Sequence, residues 1–333
     1  MATIHDVAKR AGVSRSTVSY ALSGKRTISR ETRERIEEAI RDLGFTPNAG
    51  ARALKTSQTL VIGLFVHFFE DEFSPAMLQY VLPISDAARE AGYDILMVTE
   101  TDGPKALKRL SSSEMVDGVI LLNVAHEDAR LPVMRSIRQP GSMVGLPKDT
   151  DGFDVFDLDW DESGRVLVDH LAALGHTDIV LVTPREDVAA RGGAYSWRLK
   201  NAALERAAEH GMRVHLFHGE TQQPAVNEQL GAILDAKLGT AMIVHNDAVI
   251  AALPSVLHAR GVKVPDDLSV VGIFSEEFGR LFNLPYTAVE TSPEQLGRRA
   301  VRALVQRMTN PEYADPHRVE LIAPEIVDRG STR

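Results

Sequence analysis

A dense group of hydrogen-bonding side chains lies between positions 14 and 20. It contains the hydroxyl groups of Ser14, Ser16, Thr17, Ser19 and Tyr20 and the guanidinium of Arg15. Hydroxyls and free backbone N–H groups at the start of a helix bind phosphates, and a guanidinium donates two parallel hydrogen bonds to a planar pair of acceptors. The group is therefore suited to a polyanion, provided that a helix begins at Ser14 and presents these side chains on one face.

Other polar clusters in the chain lack the spacing that catalysis or metal binding requires. His215 and His218 lie on opposite faces of a predicted strand, which is poor metal geometry. The acidic residues in 157–162 lack the glycine and spacing of a calcium loop, so we expect a solvated cleft rim. No phosphate-binding loop, dinucleotide fingerprint, nucleophile elbow or HExxH motif occurs. The sequence predicts no catalytic residue, metal or cofactor, and hence no enzyme.

Composition bounds the class of protein. The 333 residues are 44% hydrophobic and 25% charged, which is typical of a globular chain with two or three domains. The chain has no cysteine, which excludes disulfides and thiolate metal sites. The N-terminus has neither a basic nor an apolar leader region, and no run approaches the length of a membrane span. We therefore expect a cytoplasmic protein with no membrane contact.

Charge is distributed unequally along the chain. Residues 1–60 hold 11 Lys/Arg and 6 Asp/Glu, a balance of +5. The remaining residues hold 26 basic and 40 acidic side chains, a balance of -14 within the total of -9. A small basic region joined to a large acidic one indicates that the basic region meets a polyanion while the rest serves another purpose.

The basic region is predicted to form helices that position the polar group. Thr3 caps the first helix, and Gly12 supplies a turn with positive φ. Ser14 caps the second helix, with Val18 and Leu22 facing inward. A third helix runs from about Ser29 to Leu43 and ends at Gly44. This order predicts a helix-turn-helix that binds double-stranded DNA; the alternative is a three-helix bundle with an idle basic face.

The stretch TIHDVAKRAGVSRSTVSYALSGKRTISRETRERIEEAIRDLGFTPNAGARAL resembles the headpiece of the lactose- and galactose-repressor (LacI/GalR) family of transcription regulators. The resemblance places Arg15, Ser16 and Tyr20 at the base-reading positions. Tyr20 departs from the Arg or His common there, so the operator half-site need not be the usual one. The predicted DNA-binding residues are Thr3, Ser14, Arg15, Ser16, Thr17, Ser19, Tyr20, Asn48, Ala51, Leu54 and Lys55.

Residues 47–57 match the hinge helix of this family. Such a short helix is marginal in water, and Gly50 weakens it by roughly 0.5–1 kcal/mol. By resemblance, two copies order on the minor groove and Leu54 enters the central base step. The alternative is a passive linker.

From Leu60 onward, short apolar runs alternate with helical patterns, which predicts parallel sheets in two lobes with a ligand cleft at the strands' carboxyl ends. The resemblance implies the periplasmic sugar-binding architecture, with three crossings near Gly175, Tyr286–Glu290 and Asn310–His317. The fold class is thus an all-α headpiece with a hinge helix, followed by a two-lobe α/β domain. The predicted domains are the headpiece 1–46, the hinge 47–57 and the effector and dimerisation domain 58–333, with an N-lobe of about 58–174 and 288–311 and a C-lobe of about 175–287 and 312–333.

The resemblance also suggests effector-site residues, with Arg191 and Asn246 as hydroxyl ligands. The aspartate usual after the Val-Val-Gly strand is missing, so the acid is expected at Glu276 or Glu162. Added aromatic residues suit stacking on sugar faces, although core or interlobe packing explains them equally well. The predicted effector-binding residues are Phe69, Phe73, Glu162, Arg191, Trp197, Asn246, Phe274 and Glu276.

These observations predict a homodimeric, DNA-binding transcription regulator, most simply a repressor. Its predicted partners are a palindromic operator and a small-molecule effector, expected to be a carbohydrate, and it is nucleoid-associated when bound to DNA. Three alternatives stay open at this point: a regulator that needs a corepressor, a cytoplasmic solute-binding module, and a sugar-processing enzyme.

Overall fold

The computed structural model describes residues 2–23, 27–45, 58–68, 73–185, 193–310 and 315–333. Contacts divide the chain into two units, Met1–Thr59 and Leu60–Arg333, each of which has its own core. Among the described helices, none combines the length and the hydropathy that crossing a bilayer would require.

The described residues of the first unit form α1 (Ile4–Ala11), α2 (Arg15–Ser23) and α3 (Arg30–Leu43). The predicted cap of α1 is confirmed at Thr3, and the predicted turn and stop glycines, Gly12 and Gly44, have φ values of 64° and 57°. Ser29, predicted as the first residue of the third helix, is the cap of α3. The expectation that Leu22 faces inward is wrong, because its side chain is 42% exposed. A small apolar core joins the helices and contains Val7, Ala8, Ala11, Val18, Ile36 and Ala39.

The second unit contains two six-stranded sheets in its described residues, each flanked by helices. In chain order the strands are β1 (Val61–Phe65), β2 (Asp94–Val98), β3 (Gly118–Leu122), β4 (Gly141–Val144), β5 (Asp154–Leu158), β6 (Asp178–Pro184), β7 (Arg213–Gly219), β8 (Ala241–Val244), β9 (Ser269–Ile273), β10 (Thr287–Val289), β11 (Val319–Ile322) and β12 (Ile326–Val327). The helices are α4 (Ser74–Glu90), α5 (Gly103–Ser112), α6 (Leu131–Ser136), α7 (Trp160–Ala173), α8 (Tyr195–Glu209), α9 (Ala225–Ala236), α10 (Asp247–Arg260), α11 (Glu276–Leu281) and α12 (Pro293–Thr309).

The two sheets have matching strand orders, which confirms the predicted doubly wound lobes. The first runs β2-β1-β3-β4-β5-β11 and is parallel throughout. The second runs β7-β6-β8-β9-β10-β12, and only β12 is antiparallel to its neighbour. Central strands such as β3 and β9 are buried along their whole length, as expected for sheets covered on both faces.

Two of the three predicted crossings between lobes are wrong. The first lies at 158–160 rather than at Gly175, because α7 packs on α8 and on the core of the second lobe. Gly164 of α7 allows this approach, since a Cβ there would lie 2.5 Å from the Leu199 carbonyl oxygen. The last crossing lies at 322–326 rather than before His317, because β11 pairs with β5. Residues 315–322 therefore belong to the first lobe.

Candidate functional site

The first candidate surface is the beginning of α2. The Ser14 Oγ accepts a hydrogen bond from the backbone N–H of Thr17 at 3.1 Å and lies 2.7 Å from the Ser16 Oγ. Arg15 and Ser16 are exposed, while Val18 is fully buried and holds the helix against the core. Thr17, Ser19 and Tyr20 are half-buried. The start of the helix thus presents the expected guanidinium and hydroxyls to solvent.

Thr3, the remaining predicted contact in this unit, is engaged in a capping box with Asp6. Its backbone N–H donates to the Asp6 carboxylate at 2.8 Å, and its hydroxyl donates to the same oxygen at 2.7 Å. These hydrogen bonds lower the pKa of Asp6. The hydroxyl of Thr3 is exposed at the start of α1. The predicted contacts Asn48, Ala51, Leu54 and Lys55 lie outside the described residues.

The second candidate site is a cleft between the two lobes. Its walls are the segments that follow β3 and β4 in the first lobe and β6, β8 and β9 in the second, so both sheets direct their carboxyl ends to it. The first lobe adds a face of α4 that includes Met77 and Tyr80. This is the place where the sequence predicted a ligand cleft.

Three of the predicted effector residues line this cleft: Phe73, Asn246 and Phe274. Asn246, however, is largely occupied by structural hydrogen bonds. Its Oδ1 accepts from the Val249 N–H at 3.1 Å and caps α10, while its Nδ2 donates to the Gly219 carbonyl at 3.0 Å. A ligand contact by Asn246 would have to share these partners.

The other predicted effector residues are not brought together. Among the described residues, Glu162, Trp197 and Glu276 are absent from the cleft walls. Glu162 forms an ion pair with Arg165 at 2.7 Å, Trp197 meets the His126 ring edge-on at 5.3 Å, and Glu276 begins α11. Phe69 and Arg191 lie outside the described residues.

The cleft contains an aromatic cluster that the sequence did not reveal, formed by Trp160, Tyr195 and His245. The rings of Trp160 and His245 stack at 5.5 Å with an angle of 26°, and Tyr195 lies 5.2 Å from Trp160. Burial lowers the pKa of His245 to about 3, so its imidazole is neutral at physiological pH. Its Nδ1 has no hydrogen-bond partner among the described residues. The only signal in the sequence was the position of His245 directly after a strand.

Asp157 forms the polar floor of the cleft. Its Oδ1 accepts from the Trp160 indole N–H at 2.8 Å and from the Leu158 N–H at 2.9 Å, and its Oδ2 accepts from the Leu146 N–H at 3.0 Å. Burial raises the pKa of Asp157 to about 6, against the hydrogen bond from Trp160 and the charge of Arg198. The expectation of a solvated rim is wrong for Asp157, which is only 5% exposed because Arg198 and these donors enclose it.

A second carboxyl group, that of Asp247, also lines the cleft. Desolvation raises the pKa of Asp247 to about 6, while a hydrogen bond from its own backbone N–H lowers it. Burial, followed by the charges of Asp157 and Asp247, raises the pKa of Tyr80 far above its ordinary value. The phenol of Tyr80 also shares a hydrogen bond with Thr291. These groups form a polar centre to which both lobes contribute.

Several contacts join the lobes on either side of the cleft. The Ser275 hydroxyl of the second lobe donates a hydrogen bond to the Gln79 side chain of α4. Phe73, at the start of α4, lies 6.2 Å from Phe278 and 5.6 Å from Phe282 between ring centroids. The cleft is therefore closed over its polar centre, and opening it would separate apolar surfaces as well as a hydrogen bond.

Comparison with known proteins relates both surfaces to one class of regulator. The model of the bacterial regulatory proteins, lacI family, matches residues 3–48, and that of the periplasmic binding protein-like domain matches residues 168–332. A repressor from Haemophilus influenzae, named HTH-type transcriptional repressor PurR, is 28% identical over 341 residues, which cover 100% of this chain and 99% of that protein.

Two solved structures extend over the same length. The Lac repressor bound to ONPG in the repressed state superposes with a TM-score of 0.78 at 25% identity and covers 99% of both chains. The transcriptional regulator CelR in complex with cellobiose has a TM-score of 0.66 at 26% identity, covering 99% of this chain and 100% of that one. The similarity thus spans the helical unit and both lobes.

Proposed function

The chain belongs to the lacI family of bacterial regulatory proteins, and from this premise we propose that α2 reads an operator while the cleft between the lobes takes the effector. In this proposal the protein is a transcriptional repressor that binds a palindromic operator as a dimer. A small molecule in the cleft changes the balance between lobe arrangements and thereby the affinity for DNA. The CelR–cellobiose complex supports a carbohydrate as the class of ligand with which to begin.

One observation carries this proposal. A capped helix start with exposed Arg15 and Ser16 occurs in the same chain as a closed cleft whose walls come from two lobes. A solute-binding module needs only the cleft, and a simple DNA-binding protein needs only the helix. A protein in which a ligand controls DNA binding needs both the helix and the cleft.

The direct test is an electrophoretic shift on the DNA upstream of the coding region, with and without a panel of sugars. Arg15→Ala should weaken specific binding by about 1–3 kcal/mol, which is the discrimination that one bidentate base contact provides. Arg41→Ala removes the same charge from the exposed last turn of α3 and is the matched control. Equal losses in both variants would show that only overall charge matters.

Salt dependence gives an independent check of operator binding. If each subunit contacts several phosphates, the logarithm of the binding constant should fall with the logarithm of salt concentration with a slope on the order of -5 or steeper. A flat response would contradict phosphate contact by the helical unit.

We also propose that residues 47–57, which lie outside the described residues, act as the hinge helix and that Leu54 is its wedge. Leu54→Ala should then reduce specific binding far more than non-specific binding, because only the specific complex holds a kinked base step. Leu54→Met keeps an apolar side chain of similar volume and should retain specific binding. Similar losses on specific and non-specific DNA would remove the wedge from the mechanism.

The two carboxyl groups of the cleft also raise a catalytic alternative, since a sugar-processing enzyme would need a pair of acids. Asp157 is unsuited to proton transfer because it accepts three hydrogen bonds and faces Arg198 at 3.6 Å. The relatives reported above carry the names of regulators and repressors. Turnover of a panel of glycosides, abolished in Asp247→Asn, would establish the enzymatic reading.

A further inference from the structure

The described walls of the cleft carry acidic side chains but no basic ones. Among the described residues that line it there is no lysine and no arginine, but there are two carboxyl groups, those of Asp157 and Asp247. His245 adds no positive charge, because burial keeps its imidazole neutral. A ligand that enters therefore meets carboxylates, and no described residue of the walls supplies a positive charge.

The two carboxyl groups differ in how they are compensated. Asp157 accepts hydrogen bonds from Trp160 and from two backbone N–H groups, and Arg198 lies 3.6 Å from its Oδ2. Asp247 forms no ion pair with the described residues, and the one hydrogen bond among them that lowers its pKa comes from its own backbone N–H. Among the described residues, Asp247 is thus the carboxyl group of the cleft that lacks a cationic neighbour.

Aromatic side chains share the cleft with this acid. Trp160, Tyr195, Tyr80 and Phe274 line it, and the ring centroids of the first two lie 5.2 Å apart. The electron-rich faces of such rings attract cations, most strongly where water is excluded. Phe274 shows this preference within the chain itself, since the guanidinium of Arg329 lies 5.4 Å from its ring centroid.

We propose that the effector of this cleft is an organic cation, a compound with a flat apolar face and a protonated amine or amidine, amino sugars included, whose positive charge pairs with Asp247. The proposal rests on the cleft being the effector site and narrows the class of ligand. An anionic ligand would add a negative charge beside two carboxyl groups, and a neutral one would leave the half-buried Asp247 without an ion-pair partner among the described residues.

The test uses three flat probes of nearly equal size that differ in charge: benzamidinium, benzamide and benzoate. Their binding to the full-length protein is measured by ligand-observed NMR without DNA. For probes of this size a dissociation constant on the order of millimolar is expected. Benzamidinium should bind about tenfold more tightly than benzamide, with benzoate weakest, and added salt should narrow the difference.

Asp247→Asn tests the assignment of the charge. The variant keeps a side chain suited to the first turn of α10, and its thermal unfolding is compared with that of the wild type. The preference for benzamidinium over benzamide should fall below about twofold, a loss of roughly 1 kcal/mol. Glu162→Gln is the matched control, because it removes an acid from α7 that is absent from the cleft walls, and it should keep the tenfold preference.

Three results would overturn the proposal: benzamide or benzoate binding at least as tightly as benzamidinium, a preference that survives in Asp247→Asn, or no binding of benzamidinium at about 20 mM, well above the expected millimolar constant. If Asp247→Asn unfolds, the salt dependence of the wild-type preference decides instead. The measurement contains no operator, so it can fail while operator binding succeeds. Loss of specific DNA binding would conversely contradict the proposed function and leave the charge preference of the cleft standing.

Discussion

Two arginines near the cleft, Arg130 in the first lobe and Arg198 in the second, pair with aspartates, and the two pairs differ in geometry. In the first lobe, Arg130 contacts Asp128 at 2.6 Å and donates to the Asn123 carbonyl at 3.1 Å, on the cleft wall. Burial acts to raise the pKa of Asp128, but the hydrogen bonds and charge of Arg130 outweigh it, and the pKa is lowered. This pair lies within one lobe and is fully engaged.

The second pair spans both lobes. Arg198 of α8 lies 3.6 Å from Asp157 of β5 and bonds more closely to Asp161, at 2.8 Å. One of its guanidinium nitrogens, Nη1, has no hydrogen-bond partner among the described residues. The longer contact does not offset the burial of Asp157, so its pKa is raised to about 6.

The two pKa shifts have opposite signs because Arg130 donates hydrogen bonds to Asp128, whereas Arg198 acts on the buried Asp157 through its charge alone. The first pair is thus a fixed support for its loop, whereas the second retains unused hydrogen-bonding capacity where the lobes meet. A pair that is only partly satisfied can change partners at low cost when the lobes move.

The largest expected effect is on the free energy of unfolding, and it differs between Arg130 and Arg198. Arg130→Ala leaves Asp128 buried without its partner and removes donors from cleft-wall carbonyls, so we expect a loss of about 3–5 kcal/mol in the free energy of unfolding. Arg198→Ala should cost less, about 2–3 kcal/mol, because Asp157 can take up a proton. Urea unfolding at pH 7.5 measures both. A larger loss of stability for Arg198→Ala than for Arg130→Ala would contradict this prediction.

The two aspartates are expected to change the stability of the protein with pH in opposite directions. The lowered pKa of Asp128 means that its stabilising contribution is present above pH 3.8 and is lost as the pH falls. The raised pKa of Asp157 acts oppositely, because its contribution is present at low pH and is lost as the pH rises from 3.8 through about 6.

Asp128→Asn should therefore destabilise the protein about equally at pH 7.5 and pH 4.5, and less at pH 3, because the contribution of Asp128 is lost only below about 3.8. Asp157→Asn should destabilise the protein less at pH 7.5 than at pH 4.5, by about 2 kcal/mol. Urea unfolding of both variants at the three pH values provides the measurement. Parallel pH trends in the two variants would contradict the opposite shifts.

The smallest expected effect tests whether burial, rather than the number of ion pairs, determines how much stability is lost when an arginine is removed. Arg206 contacts both Asp169, at 2.7 Å, and Glu209, at 2.6 Å, on the surface of the second lobe. Its side chain is 34% exposed, and those of its partners are 40% and 63% exposed. Arg206→Ala should reduce stability far less than Arg130→Ala, and less still in 1 M salt, because solvent screens surface pairs. A loss as large as that of Arg130→Ala would show that burial does not set the ranking.

Local signals made the helical unit largely predictable from the sequence. Thr3, Ser29, Gly12 and Gly44 mark helix ends through hydrogen bonds and φ values that depend on neighbouring residues only. The alternation of strands and helices in the second unit was equally visible, since short apolar runs such as Ser269–Ile273 are buried strands. Leu22 was misplaced because a helix periodicity does not show where the neighbouring helices end.

The cleft was less predictable because its residues are distant in sequence. Trp160, Tyr195 and His245 come from three separate segments, and no periodicity connects them. Asn246 was predicted from the family resemblance, but its position directly after a strand makes it the cap of α10. The assignment of β11 failed for a related reason, since its pairing with β5 joins residues that are more than 150 positions apart.

The chain segments that connect the lobes are bonded to one another. The Asp159 N–H donates to the Ile322 carbonyl at 2.9 Å, and the Glu290 N–H donates to the Glu325 carbonyl at 3.0 Å. Because these three segments are hydrogen-bonded to one another, we expect the lobes to move about a common hinge. A small molecule in the cleft would then act on one variable, the angle between the lobes. A regulator with one such degree of freedom switches between two arrangements rather than deforming continuously.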